Sequence, residues 1–207
     1  VEQRHIIDEF QRVALVHHQV RFELYSNDTI LFQLEATKLR QRIVQVFGKN
    51  TNEKLVPVQE STDILNVNGF IFKPEFSKKS RQHQFFFVNN RFIKCPYLHH
   101  AVMAAFEGLL APGMQPGYML YLTVPTDTID VNIHPTKTEI KFEDDHSLYA
   151  IIRSALKHSL GQFNVSPVLD FDLNQSFDVP LGNKPPNQSP SIQVDRKFNP
   201  FDEIENE

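Results

Sequence analysis

Apolar residues recur at two periods along the chain, and the switches between them mark its elements. Over residues 1–18, Ile6, Ile7, Phe10, Val13 and Ala14 fall three and four apart, with Arg4, Asp8, Glu9 and Arg12 between them. This is the spacing of an amphipathic helix. From residue 20 the period shortens to two. Val20, Phe22 and Leu24 alternate with Arg21, Glu23 and Tyr25, and after Ser26-Asn27-Asp28-Thr29 the alternation resumes at Ile30, Phe32 and Leu34. A hairpin around a short polar turn is the reading. A second helix is predicted over 38–47, with Leu39, Ile43, Val46 and Phe47 on one face and Gly48 as its stop. Strands follow at 55–59 and 65–72. A third apolar, aromatic run, 84–88, turns at Asn89-Asn90 and returns through 91–93. A helix is predicted over 97–110, with Leu98, Val102, Ala105, Phe106 and Leu109 as its buried stripe. Residues 118–124 and 128–133 read as a strand pair across Pro125-Thr126-Asp127. Residues 138–142 read as a short extended piece, and a last helix starts near Asp145.

Strand pairs joined by short turns are antiparallel, so the predicted class is α+β: a mixed, mainly antiparallel sheet with helices on one face. With 7 glycines, neither G-x-G-x-x-G nor the P-loop pattern occurs. From Ser166 onward the composition changes. The last 42 residues hold 6 of the 13 prolines, four isolated Phe, 3 basic and 8 acidic residues. The predicted organisation is a domain over 1–165 and an acidic, Pro-rich linker or tail over 166–207, largely disordered. Subtracting the tail from totals of 21 basic and 25 acidic leaves 18 and 17, a near-neutral body. Nucleic-acid binding then needs a local basic patch rather than a basic domain. Cys95 is the single cysteine, which excludes an intramolecular disulfide and a multi-Cys zinc site. The histidines are single or in adjacent pairs, without the i, i+4 spacing of a helical zinc motif, so no metal site is assigned. No apolar run approaches the roughly 18 residues of a membrane span. A soluble, cytoplasmic protein is expected, and the start at Val1 reads as an excised or processed piece.

Two stretches stand apart. One is Gln84-Phe85-Phe86-Phe87-Val88-Asn89-Asn90-Arg91-Phe92-Ile93, running into a helix with His99-His100-Ala101-Val102. The other is Ile129-Asp130-Val131-Asn132-Ile133-His134-Pro135-Thr136-Lys137-Thr138-Glu139-Ile140-Lys141-Phe142. In wording, order and separation they resemble the second, transducer domain of the MutL DNA mismatch repair proteins. The resemblance covers roughly residues 1–165. It departs at Asn89-Asn90, where the family often has Asn-Gly. Asn tolerates the positive φ that such a turn needs, so the fold is not put in doubt.

The resemblance implies an architecture like the ribosomal-protein-like second domain of the GHKL ATPases, the ATPase class that MutL proteins share with gyrase B subunits, certain chaperones and histidine kinases. It implies that ATP and Mg are bound mainly by a preceding domain whose catalytic motifs are absent here. ATP hydrolysis by this chain alone is not expected. Lys137, presented after Pro135 in the loop, is implied to reach the γ-phosphate as a mobile point charge, with Asn132 bracing the loop or positioning nucleotide. An Asn that bonds its own backbone near a turn is the competing reading of Asn132. Arg91 and Lys94 are implied to line a positive groove that contacts DNA phosphates without reading bases. The plain alternative is a hairpin arginine that keeps a sheet surface solvated. Lys78, Lys79 and Arg81 form a further basic cluster in a predicted loop. Implied partners are DNA, a MutS-type mismatch recognition protein and a second copy of the full-length protein, the chain itself being mainly monomeric. A topoisomerase subunit is a weaker match, because its Gln-x-Lys loop is replaced by Pro135-Thr136-Lys137. A stand-alone nucleic-acid-binding or scaffold domain sharing only the fold is the reading from another class.

Overall fold

The structure, a computed structural model, describes residues 2–80, 83–131 and 138–163. It opens with helix α1 (Glu2–Val16), the hairpin β1 (Phe22–Ser26) and β2 (Thr29–Leu34), and helix α2 (Leu39–Phe47). Asn27 and Asp28 both take positive φ, 46° and 61°, as a tight two-residue turn demands. Gly48 ends α2 at φ 95°, its N–H donating to the Val44 carbonyl.

The core is a five-stranded sheet in the order β3-β4-β7-β5-β6, made of β3 (Leu55–Ser61), β4 (Asn66–Phe72), β5 (Gln84–Val88), β6 (Arg91–Ile93) and β7 (Tyr118–Thr123). All neighbours are antiparallel except β5 and β7, which run parallel and are linked through β6 and helix α3 (Pro96–Ala105). A parallel pair needs a crossover, and α3 supplies it. Gly69 lies mid-sheet at φ 141°, where a Cβ would sit 2.1 Å from the Met119 carbonyl oxygen. Only glycine lets β4 and β7 approach there.

The α+β class and the mainly antiparallel sheet agree with the sequence reading, but the helices cover both faces rather than one. Tyr118, Leu120, Leu122, Phe86, Val88 and Ile93 face α3 and helix α4 (Asp145–Gln162). Met119, Phe87, Leu55 and Phe72 face α1, α2 and the end of β2. The physical reason is visible in Phe85-Phe86-Phe87-Val88, which is apolar at every position. A strand buried on both sides reads as a continuous apolar run, not an alternation.

Two further expectations are corrected. Helix α3 stops at Ala105 rather than near 110, because Phe106 leaves helical geometry and Gly108 takes φ 78°. The strand pair expected between 118–124 and 128–133 does not form among the described residues, which run to 131. Strand β7 is already flanked by β4 and β5. The chain instead turns through Thr126–Thr128 into β8 (Ile129–Asp130), which pairs with β9 (Lys141–Phe142). The tail predicted over 166–207 lies outside the described residues.

Arg42 binds the first third of the chain together. It is fully buried in the apolar stripe of α2, and its guanidinium donates to the carbonyls of Ala14, His18, Val20 and Glu35 at 2.6–3.1 Å. One cation thus satisfies the end of α1, the turn after it and the residue after β2. A positive group also suits the negative end of a helix dipole. Tyr121 adds a second tie, its hydroxyl donating to the Leu15 carbonyl at 3.0 Å while its ring stacks on Phe87.

Candidate DNA-contact and nucleotide-sensing edge

The β5–β6 hairpin is built by its turn. Asn89 and Asn90 take φ 45° and 64°, and the register pairs Val88 with Arg91 and Phe86 with Ile93. The Asn89 side chain does more than tolerate that geometry. Its Nδ2 donates to the Val124 carbonyl and its Oδ1 accepts from the Val124 N–H, both at 3.0 Å, while its main-chain N–H donates to Leu122. The amide therefore mimics one more peptide of the parallel ladder. It fixes the hairpin tip to the end of β7, just before the chain turns towards β8.

Arg91 is exposed at that tip, on the same side of the strand as the buried Ile93. Phe92 points to the other side, where the Arg12 guanidinium lies 4.1 Å from its ring centroid. Lys94, also exposed, follows the strand. Its main-chain N–H donates to the Thr138 carbonyl at 2.8 Å. Arg91 and Lys94 thus stand at opposite ends of β6, about 10 Å apart along three strand steps.

The loop predicted to carry the phosphate-sensing chemistry is anchored at both ends. Ile129 pairs with Phe142 and Asp130 with Lys141, and the Glu143 N–H donates to Thr128 at 2.9 Å. Ile140 and Phe142 are buried in the core under α3 and α4. Asn132 and Lys137, with His134, fall in 132–137 and lie outside the described residues. Of the four predicted site residues, the structure therefore places two, and it brings Lys94 against Thr138, the residue after Lys137.

The adjacent histidines part company. His99 meets the Tyr118 hydroxyl at 3.0 Å and His100 meets Tyr149 at 2.9 Å, so each is tied to a different tyrosine. Among the described residues no group of three or more His, Cys, Asp and Glu is gathered to hold a metal ion. Lys78 is not in a free loop: it forms a β-bridge with Gln115. Arg81 of the same basic cluster lies outside the described residues. Lys78 and Lys54 add their field to burial at His83, and together these push the imidazole down to about 4. His83 is therefore neutral at physiological pH.

The sequence reading missed Arg42, Asn89 and Arg12. Arg42 left a signal, a charged residue within the apolar Leu39, Ile43, Val46 stripe. The roles of Asn89 and Arg12 depend on partners 35 and 80 residues away, which no local pattern reveals.

A family model described as DNA mismatch repair protein, C-terminal domain, matches residues 43–161, which include the hairpin, α3, the loop and α4. The chain belongs to the MutL family of DNA mismatch repair proteins. It is 64% identical to a MutL protein of Flavobacterium psychrophilum over 98% of this chain and 33% of that protein. It is 48% identical to one of Bacteroides fragilis over 97% of this chain and 32% of that protein. The chain thus spans about a third of the length of the MutL proteins it matches. Among solved structures it resembles the N-terminal domain of a DNA repair protein, with TM-score 0.66 and 19% identity over 80% of this chain and 56% of that one. It also resembles an Aquifex aeolicus MutL ATPase domain carrying a substitution, with TM-score 0.51 and 18% identity over 75% of this chain and 51% of that one. At these identities the likeness is one of fold. No helix among the described residues is long and apolar enough to cross a membrane.

Proposed function

We propose that this MutL chain senses the ATP γ-phosphate on behalf of a preceding ATPase domain and contributes phosphate contacts to sequence-independent DNA binding. One observation carries the reading. The main-chain N–H of Lys94, on the DNA-contact hairpin, holds the carbonyl of the residue that follows Lys137. A change in where Lys137 sits would thereby be felt at the hairpin. The likeness in fold to a protein described as a MutL ATPase domain supports the nucleotide part.

The donor set fits a shared site. The chain has no Gly-rich phosphate cradle, so ATP and Mg are held mainly by the preceding domain. Lys137 adds a charge-assisted contact to the terminal phosphate, with Asn132 positioning the loop or the nucleotide. Extra charge on the transferring phosphoryl oxygens is where such a donor acts most strongly. Arg91 and Lys94 pair with DNA phosphates, which gives salt-dependent binding without base readout. The full-length protein acts in the bacterial cytoplasm at the nucleoid. It self-associates, takes its cue from a MutS-type mismatch recognition protein, and leaves the present chain by itself mainly monomeric.

The test is steady-state ATP turnover of the full-length protein with Lys137→Ala, with nucleotide binding measured alongside. Turnover is expected to fall on the order of 10²-fold with ATP still bound. Unchanged turnover would reduce Lys137 to a solvated loop lysine.

A further inference from the structure

Four rings run in line across the solvent side of α3 and α4. The His146 and Tyr97 centroids lie 6.1 Å apart, Tyr97 and Tyr149 5.1 Å, and Tyr149 and His100 5.9 Å. Tyr97, His100 and His146 are exposed and Tyr149 is half-buried. Each hydroxyl is held: Tyr97 meets His146 Nδ1 and Tyr149 meets His100 Nδ1, both at 2.9 Å. These bonds lock the rings, so a ligand finds fixed faces and little rotamer freedom is lost when it settles on them. Beyond His100 the strip opens into a groove of about 410 Å³ between α3 and the loop 107–114, lined by Met103, Ala104, Leu110 and Met114. Methionine adapts its shape to whichever apolar group enters.

The strip is flanked by acid. Helix α3 itself has no charged residue. Glu143, Asp144 and Asp145 are exposed where α4 begins, directly before His146. Asp144 is engaged as the N-cap of α4, its carboxylate accepting from the Ser147 N–H at 3.0 Å. Asp145 makes no ion pair among the described residues. Burial pushes the Cys95 thiol up and the field of Asp145 adds to this, so that carboxylate stands near the start of α3, close in sequence to Tyr97. Glu107 lies in the groove lining at the far end. The basic positions nearest to the rings in sequence are Lys94, before α3, and Arg153, partly buried one turn past Tyr149.

An exposed tyrosine face beside a carboxylate is complementary to a planar cation. A guanidinium stacks on the ring and forks its N–H groups to the carboxylate, a combination that a lysine ammonium does not match. The same carboxylates repel a phosphodiester backbone. We propose that the strip on α3 and α4 docks an arginine-bearing segment of a partner protein, its guanidinium over Tyr97 and Tyr149 beside Asp145 and a following apolar side chain in the groove between Met103 and Met114. Docking here does not require the DNA contacts proposed for Arg91.

The test is the fluorescence anisotropy of a labelled peptide of repeated Arg-Ala-Ala-Leu, titrated with the full chain. Residues 166–207 are acidic and attract any cation, so the tyrosine variants, which keep every charge, are the informative ones. Tyr97→Leu and Tyr149→Leu are each expected to weaken binding about fivefold, as are Asp145→Asn and lysine in place of arginine in the peptide. Thermal melting shows whether each variant is folded. If a tyrosine variant does not fold, Asp145→Asn and the lysine peptide decide, since neither disturbs the ring packing. Equal affinity in the folded tyrosine variants, equal affinity for the lysine peptide, or no binding of the arginine peptide overturns the proposal. A dimer of the chain alone in sedimentation, lost in Tyr97→Leu, would assign the strip to a second copy and overturn it as well.

Discussion

Arg42, fully buried, and His83, half-buried beside Phe47 and Phe72, are two polar residues whose chemistry sets measurable consequences. Removing the Arg42 donors strands the carbonyls of Ala14, Val20 and Glu35, while that of His18 keeps the Thr37 N–H, and each unsatisfied buried acceptor costs about 1–3 kcal/mol. Arg42→Met keeps most of the volume, so the loss is chemical rather than a cavity. We expect destabilisation of at least about 3 kcal/mol in urea unfolding; a change under about 1 kcal/mol would show that water replaces the guanidinium freely. His83 acts through pH. Burial, assisted by Lys78 and Lys54, holds its folded-state value near 4 against 6.5 unfolded. Between those values the unfolded chain binds the extra proton, so stability rises with pH across that window and flattens above it. The effect is on the order of 2 kcal/mol. His83 also takes φ 62°, so His83→Asn, which tolerates that backbone, should remove this slope between pH 4 and 6.5. An identical slope in the variant would assign it to other groups. Arg42 left a signal as a charge inside an apolar stripe, but neither its partners nor the surroundings of His83 were legible beforehand. A lone arginine in a helix stripe and a lone histidine before a strand acquire their environments from distant segments.

Among the elements, hairpins were the most legible and long-range pairings the least. Asn27-Asp28 and Asn89-Asn90 sit between apolar runs, and turn chemistry fixes a two-residue hairpin locally. The 84–88 run showed its two buried faces in its composition, yet which helices would cover each face depended on packing across the chain. Strand β9 pairs with β8 rather than β7 joining β8, because both sides of β7 are taken by β4 and β5. A local pattern cannot express that competition. The site was legible in the same uneven way. The Arg91 and Lys94 positions followed from the hairpin register, whereas the Lys94 contact with Thr138 spans 44 residues and had no sequence signal. The hairpin makes its own prediction. If Arg91 and Lys94 each neutralise a phosphate, alanine at either should lower the slope of log affinity against log salt by about 1, without changing sequence preference. An unchanged slope would leave them as solvating residues. Asn89→Ala, which removes both bonds to Val124, should misplace the tip and weaken DNA binding while Arg91 is still present.

For the whole molecule, the account is that one edge joins nucleotide sensing to DNA contact. The loop bearing Lys137 leaves from β8, returns beside Lys94 and re-enters the core through Ile140 and Phe142. The hairpin at Lys94 is in turn tied through Asn89 to the end of β7. On the proposed function the two binding events would share this frame, and any coupling between them would be reciprocal: nucleotide would change DNA affinity by the factor that DNA changes nucleotide affinity. The most direct measurement is the DNA affinity of the full-length protein with and without a non-hydrolysable ATP analogue, for the native sequence and for Lys137→Ala. The analogue should shift DNA affinity by roughly 5-fold or more in the native protein. In Lys137→Ala the shift should vanish while affinity without nucleotide stays the same. An equal shift in both proteins would contradict the account, since DNA contact would then answer to nucleotide by a route that bypasses this edge.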